Sequence, residues 1–113
     1  MDRKIKTYLF DILTYIEEVE QFFEGKVVTL ESLLEDIKTI RAVERELEII
    51  GEATKKLIKT SPSIAISDTR KIISARNYIA HEYGAITYET IVKVINENFP
   101  ILKKEGKKLL EEK

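Results

Sequence analysis

Cysteine and tryptophan are absent from this chain, histidine occurs once, and its 113 residues include only two prolines. Without cysteine there is no disulfide and no thiolate metal site. One histidine makes a His-based zinc site within a single chain unexpected, and neither a metal nor another cofactor is expected. No apolar run approaches the ~18 residues that a membrane span requires. The first residues, Met1-Asp2-Arg3-Lys4-Ile5-Lys6, lead into mixed polar sequence and not into a signal-type apolar stretch. A cytoplasmic protein without membrane contact is expected. An excess of one charge is missing too: 19 basic residues face 20 acidic ones, a net charge of -1. Bulk attraction for a polyanion is thereby excluded, and any contact with RNA or DNA must be local.

What is present suits one helical domain spanning residues 1–113. The chain is 43% hydrophobic and 35% charged, enough for both a core and a well-solvated surface. Its bias toward Lys, Glu and Ile has the flavour of a heat-adapted composition. Residues 2–24 place apolar side chains at Ile5, Tyr8, Leu9, Ile12, Leu13, Tyr15, Ile16, Val19, Phe22 and Phe23, with spacings of three and four dominating. That is the signature of an amphipathic helix, which Gly25 ends. Thr29 is a candidate N-cap for a second helix through Leu33, Ile37, Val43, Leu47, Ile50 and Leu57. Thirty-odd residues without a proline predict a helix of roughly 45 Å. Gly51 lies inside it, where glycine costs about 1 kcal/mol relative to alanine; the expected compensation is close approach of another backbone. Arg41, Glu44, Arg45 and Glu48 follow at spacings of three and four, readable as ion pairs along a wet face.

Pro62 breaks the chain within a loop over residues 59–67. Ser67 or Asp68 can cap a third helix that Gly84 stops. Thr87 can cap a fourth, with Glu89 in its first turn, and Pro100 must kink or divide it. Four antiparallel helices with short connections predict an all-α, up-and-down four-helix bundle. The uneven helix lengths leave surface on the second helix that suits pairing with a copy of the chain, so a homodimer is expected.

The stretch from Ser74 to Gly84 concentrates chemistry. It holds Arg76, Asn77, the single histidine His81, and Tyr83. Arginine offers a planar fork of donors for phosphoryl oxygens, histidine titrates near neutral pH, and tyrosine can donate or accept a proton. On an ideal helix Asn77 and His81 share a face, as do Arg76 and Tyr83, whereas Arg76 and His81 stand ~140° apart. They can meet at one phosphate if the helix distorts or ends near Ala80, or if two chains pool their motifs. Such a set suits RNA cleavage by internal transesterification. A base takes the 2′-hydroxyl proton, the alkoxide attacks phosphorus, a cation stabilises the added charge, and an acid protonates the departing 5′-oxygen. Bland alternatives stand beside this. His81 can be a helix-end cap, Arg76 can pair with Glu48 or Glu52, Asn77 can fix helix packing, and the tyrosines can be core or interface aromatics.

Arg76, four intervening residues, then His81-Glu82-Tyr83 resembles the Arg-x4-His-x-Tyr signature of HepT-type toxins, a branch of the HEPN superfamily. Arg41-Ala42-Val43-Glu44-Arg45 and Ile49-Ile50-Gly51-Glu52-Ala53 resemble the second-helix pattern of that family, and Phe99-Pro100-Ile101-Leu102 resembles its last segment. The resemblance implies a HEPN-like helical dimer with the motif in a cleft between subunits. It implies metal-independent endoribonuclease activity with Arg76 and His81 as the catalytic pair and Asn77 as a polar neighbour. It also implies a partner, a minimal nucleotidyltransferase antitoxin (MntA) of a type VII toxin–antitoxin system, which transfers AMP to the motif tyrosine, here Tyr83. Arg41 and Glu44 are candidates for lying near the cleft. The chain departs from the family where members often carry an aromatic before the third helix; here the segment reads Ile64-Ala65-Ile66-Ser67. The alternative is a module without cleavage, which binds a nucleotide or docks the nucleotidyltransferase through the same cleft. A plain interaction bundle, with Arg76, Asn77 and His81 stabilising a dimer, is the third reading.

Overall fold

The helix-period pattern of the sequence is realised as helices throughout the described residues of a computed structural model. The structure describes residues 2–67, 69–81 and 88–112, and for residues 78–81 the backbone path alone. Helix α1 spans Arg3–Phe22, α2 Leu30–Leu33, α3 Ile37–Thr60, α4 Arg70–His81, α5 Tyr88–Lys93 and α6 Phe99–Glu111, with a π-helical segment, Val94–Asn98, between α5 and α6. No strand occurs among the described residues. The radius of gyration is 13.7 Å, close to the ~13 Å expected of a globular chain this long.

Asp2 opens α1 by accepting a hydrogen bond from the Lys4 N–H at 2.9 Å. The helix ends at Phe22, and Glu24 and Gly25 then take positive φ (56° and 75°) as the Gly25 N–H donates to the Glu20 carbonyl. Glycine meets that conformation without a Cβ penalty, so the stop expected at Gly25 is explained by backbone sterics.

The single long helix expected after Thr29 is divided, which corrects that expectation. Thr29 does cap, reciprocally with Ser32: the Ser32 N–H donates to Thr29 Oγ1 at 3.0 Å and the Thr29 N–H to Ser32 Oγ at 2.9 Å. Four residues later the helix stops, because Asp36 adopts extended backbone (φ -150°, ψ 162°) and its Oδ1 accepts from the Thr39 N–H at 2.7 Å. That backbone hydrogen bond, the leading cause, holds the Asp36 carboxyl below its ordinary value. Leu34 and Ile37, which fit an unbroken apolar stripe, lie at this break and stay exposed.

The interruption expected at Pro100 takes the form of the π segment. Proline has no N–H and its ring clashes with the carbonyl four residues earlier. A wider turn relieves the clash: the Phe99 N–H donates to the Val94 carbonyl, five residues back, and Pro100 enters α6 in its first turn. Asn96 in this segment clamps the α1–α2 connection, accepting from the Val28 N–H at 3.0 Å and donating to the Val28 carbonyl at 2.7 Å.

Leu9, Ile12, Ile16 and Val19 of α1 meet Val43, Leu47, Ile50 and Leu57 of α3 in the core, with Ile72 and Ala75 of α4 and Phe99 and Leu102 of α6. Helix α3 is the spine: it packs extensively on α1 and on α4, while α6 lies along α1. Where family members often carry an aromatic, Ile64 and Ile66 pack against this core. Ser67 is engaged by α6, its N–H and hydroxyl donating to the two Glu105 carboxylate oxygens at 3.0 and 2.9 Å. Asp68, Gly84 and Thr87, expected to cap or stop helices, lie outside the described residues.

Candidate functional site

The site is built where α4 crosses α3, and a glycine permits the crossing. A Cβ on Gly51 would overlap Cβ of Arg76 and lie 2.7 Å from its Cγ and 3.2 Å from the Ile72 carbonyl oxygen. The close approach expected at Gly51 is therefore made by the stem of Arg76 together with the α4 backbone. Glycine here fixes where the arginine leaves its helix.

The head of Arg76 is fixed separately. Its Nη1 donates to Asn77 Oδ1 at 3.0 Å, and its Nη2 lies 2.7 Å from Oε2 of Glu52. The Arg76 side chain is 18% exposed and that of Glu52 35%, so the pair is partly shielded from water and its attraction is stronger than that of a surface pair. The Glu52 contact is an ion pair without hydrogen-bond alignment. Glu52 Oε2 and Arg76 Nε are sealed from solvent, and neither has an aligned partner among the described residues. Pairing of Arg76 with a glutamate of α3 was one of the bland alternatives, and Glu52, not Glu48, is the partner.

Arg76 forms one wall of a cleft of about 250 Å³. Tyr8 and Asp11 of α1 and Arg45, Glu48, Ile49, Glu52, Ala53 and Lys56 of α3 form the others. Three cations and three carboxylates balance there, with an aromatic edge and an apolar floor of Ile49 and Ala53.

The other predicted residues are distributed as follows. Arg41 and Glu44 meet each other, Nη1 to Oε1 at 2.9 Å, outside the lining of the cleft. Arg45 and Glu48, next along the same stripe, line it. His81 is the last residue of α4, and the helix is unbroken from Arg76 to it. Of the two routes that could bring Arg76 and His81 together, the first has the helix distort or end near Ala80, and α4 ends one residue further on, at His81. Five residues of continuous helix set them ~140° apart around the axis and ~7.5 Å apart along it. Tyr83 lies outside the described residues.

Sequence reasoning missed Tyr8, Asp11 and Lys56. The apolar stripe absorbed Tyr8, and cleft membership depends on how α1 and α3 cross, which periodicity does not encode.

On α1 and α3, away from the cleft, Glu46 is 9% exposed and faces Glu18. Burial first, then the Glu18 charge and a hydrogen bond with Glu18, push its carboxyl up to about 7, against a smaller opposing pull from Arg45. Glu46 Oε2 is sealed from solvent without a hydrogen-bond partner among the described residues.

An all-helical fold that mounts an arginine of an Arg-x4-His signature at a helix crossing defines a HEPN-like domain. The family model described as "Ribonuclease HepT-like" matches residues 12–109, and the chain belongs to that family. It is similar to "Probable ribonuclease HepT" of Thermococcus cleftensis, at 35% identity over 96% of this chain and 98% of that protein. It is 31% identical to a protein of Methanocaldococcus jannaschii named provisionally as an RNase, over 97% of this chain and 94% of that one. A protein of Caldanaerobacter subterraneus, also named provisionally as an RNase, is 32% identical over 94% of each chain. No solved structure matches the chain.

Proposed function

We propose that this protein is a metal-independent endoribonuclease of a HepT/MntA-like toxin–antitoxin pair. It acts as a homodimer of one-domain, four-helix-bundle subunits, with α2 and α3 as two parts of one bundle helix and α5, the π segment and α6 as parts of another. The observation that carries this reading is the fixed guanidinium of Arg76 at the cleft wall, in a chain of the ribonuclease HepT-like family. The continuity of α4 supports the dimer. On an ideal helix positions 76 and 81 stand ~140° apart, and a two-fold axis beside α4 would bring two copies of each motif to a shared cleft.

In the reaction the 2′-oxygen of a ribose loses its proton to His81 and bonds to the adjacent phosphorus. The bond from phosphorus to the 5′-oxygen breaks, and a proton from the His81 of the other protomer completes the leaving hydroxyl. Arg76 carries the charge that builds on the non-bridging oxygens. Asn77 holds the arginine head. Arg41 and Glu44, one turn from the cleft, support the approach to it. The products are a 2′,3′-cyclic phosphate and a 5′-hydroxyl. DNA, lacking the internal nucleophile, is spared.

Silencing follows the family's pattern. The nucleotidyltransferase partner joins the Tyr83 oxygen to the α-phosphorus of ATP, releasing pyrophosphate and the phenolic proton, and the anionic adduct repels an incoming phosphodiester.

The test is an RNA cleavage assay with unmodified full-length protein in chelator, beside His81→Ala and Arg76→Ala. Cyclic-phosphate and 5′-hydroxyl ends should appear with the parent and fall by about 10²–10⁴-fold in each variant. Cleavage that survives in a clean His81→Ala preparation sinks the mechanism. No cleavage by protein whose mass shows Tyr83 unmodified sinks the ribonuclease reading.

A further inference from the structure

We infer that Glu52 is a positioning residue for Arg76 in RNA cleavage, an inference that rests on the ribonuclease reading above. Gly51 and Glu52 are neighbours on α3 and divide one task. The glycine admits the arginine's stem, with Cγ only 2.7 Å from where a Cβ would stand, and the glutamate holds the head at 2.7 Å. Asn77 secures the second terminal nitrogen at 3.0 Å. A flexible side chain is thereby fixed at both ends before any phosphate arrives. Arginine otherwise carries considerable rotamer entropy, and freezing it during the reaction raises the barrier.

The alternatives for Glu52 are weaker on the same geometry. As a purely stabilising surface pair it would sit exposed and aligned, whereas Oε2 is sealed from solvent and lacks an aligned donor. As a general base it would have to leave the guanidinium, with Oε2 already 2.7 Å from Arg76 Nη2. A role through Arg76 accounts for its place beside Gly51 and for its contact with the terminal nitrogen.

The experiment compares the parent with Glu52→Ala and Glu52→Gln, using full-length protein and a short single-stranded RNA in chelator. Expected for Glu52→Ala is a fall in kcat of about 10–100-fold with KM changed little, because the substrate loses no direct contact. Glu52→Gln should regain part of kcat, since its amide oxygen keeps a polar contact for Nη2 without the charge. A second readout needs no activity. The Arg76 Nε–H resonance should be sharp and slow to exchange in the parent and in Glu52→Gln, and broadened in Glu52→Ala.

An unchanged or raised kcat in Glu52→Ala overturns the inference, the latter by making Glu52 a competitor of the phosphate. Equal loss in both variants, with equal loss of thermal stability, overturns it in favour of a structural role. Arg76→Ala separates the two levels of the argument. If it cuts as well as the parent, the ribonuclease assignment of Arg76 fails on its own account; if it is inactive while Glu52→Ala is normal, only Glu52 has been misplaced.

Discussion

Two of the glutamates of helix α3, Glu46 and Glu52, stand six residues apart in different surroundings. Glu52 meets a guanidinium and Glu46 meets another carboxyl. At the first, opposite charges approach to 2.7 Å. At the second, burial first and then a like charge push the Glu46 carboxyl up to about 7. The backbone and residue type are the same. What differs is the helix each one faces: α4 brings an arginine, α1 a glutamate. One place becomes a mount for the candidate functional cation and the other a pH-sensitive seam in the core.

The most forceful way to break the first place is Gly51→Ala. The added methyl would overlap the Arg76 stem and press on the Ile72 carbonyl, neither of which is the far end of a mobile chain. Overpacking of this kind costs about 1–3 kcal/mol or more, offset by about 1 kcal/mol of helix propensity. A net loss of about 2 kcal/mol is expected, seen as a melting temperature lower by about 8 °C. RNA cleavage should fall further than stability accounts for, because the arginine is pushed off its mount. Unchanged melting and unchanged cleavage would mean that α4 slides freely along α3, and the contrast between the two glutamates would lose its structural basis.

The second place is sharpened by pH. Glu46 holds its proton up to about pH 7 in the folded chain and releases it near its ordinary 4.5 when unfolded. Between those values the folded state binds more protons, so stability falls as pH rises through the window and levels off above it. The shift corresponds to no more than about 3 kcal/mol, and about 2 kcal/mol is expected after relaxation. Glu46→Gln, which cannot ionise, should match the parent near pH 4 and exceed it by about 2 kcal/mol at pH 8. Denaturant unfolding at a series of pH values reads this directly. A slope that persists in Glu46→Gln assigns the effect to another group.

The sequence displayed these features unequally. Periodicity exposed the faces of α1 and α3, because burial of every third or fourth side chain is a local pattern. The caps at Thr29 and Asp36 are equally local, yet the break at Asp36 was hidden: Leu34 and Ile37 continue the apolar spacing although they remain exposed, so one aspartate's hydrogen bond outweighed the stripe. Gly51 signalled a close approach but not by what. Which glutamate meets Arg76 and which meets Glu18 depends on the order in which helices surround α3, and helical spacing alone leaves that order open. The resemblance of the Arg76–His81 segment to HepT-type sequences pointed to a candidate site, while its mount and its cleft walls came only with the packing.

The smallest expected effect lies on the same helix and tests whether burial, not pairing, separates these places. Arg41 and Glu44 form a 2.9 Å ion pair one turn before Glu46, with the arginine side chain 69% exposed. In water the attraction is screened and both side chains lose rotamer freedom to make it. A double-mutant cycle with Arg41→Ala and Glu44→Ala should give a coupling of about 0.3 kcal/mol, fading in high salt. The equivalent cycle for Arg76 and Glu52 should give several times as much and resist salt, because that pair is partly sealed by α3 and α4. Equal couplings would show that distance alone sets the strength. The rigidity ascribed to the Arg76 mount would then have to come from Gly51 and Asn77 without Glu52.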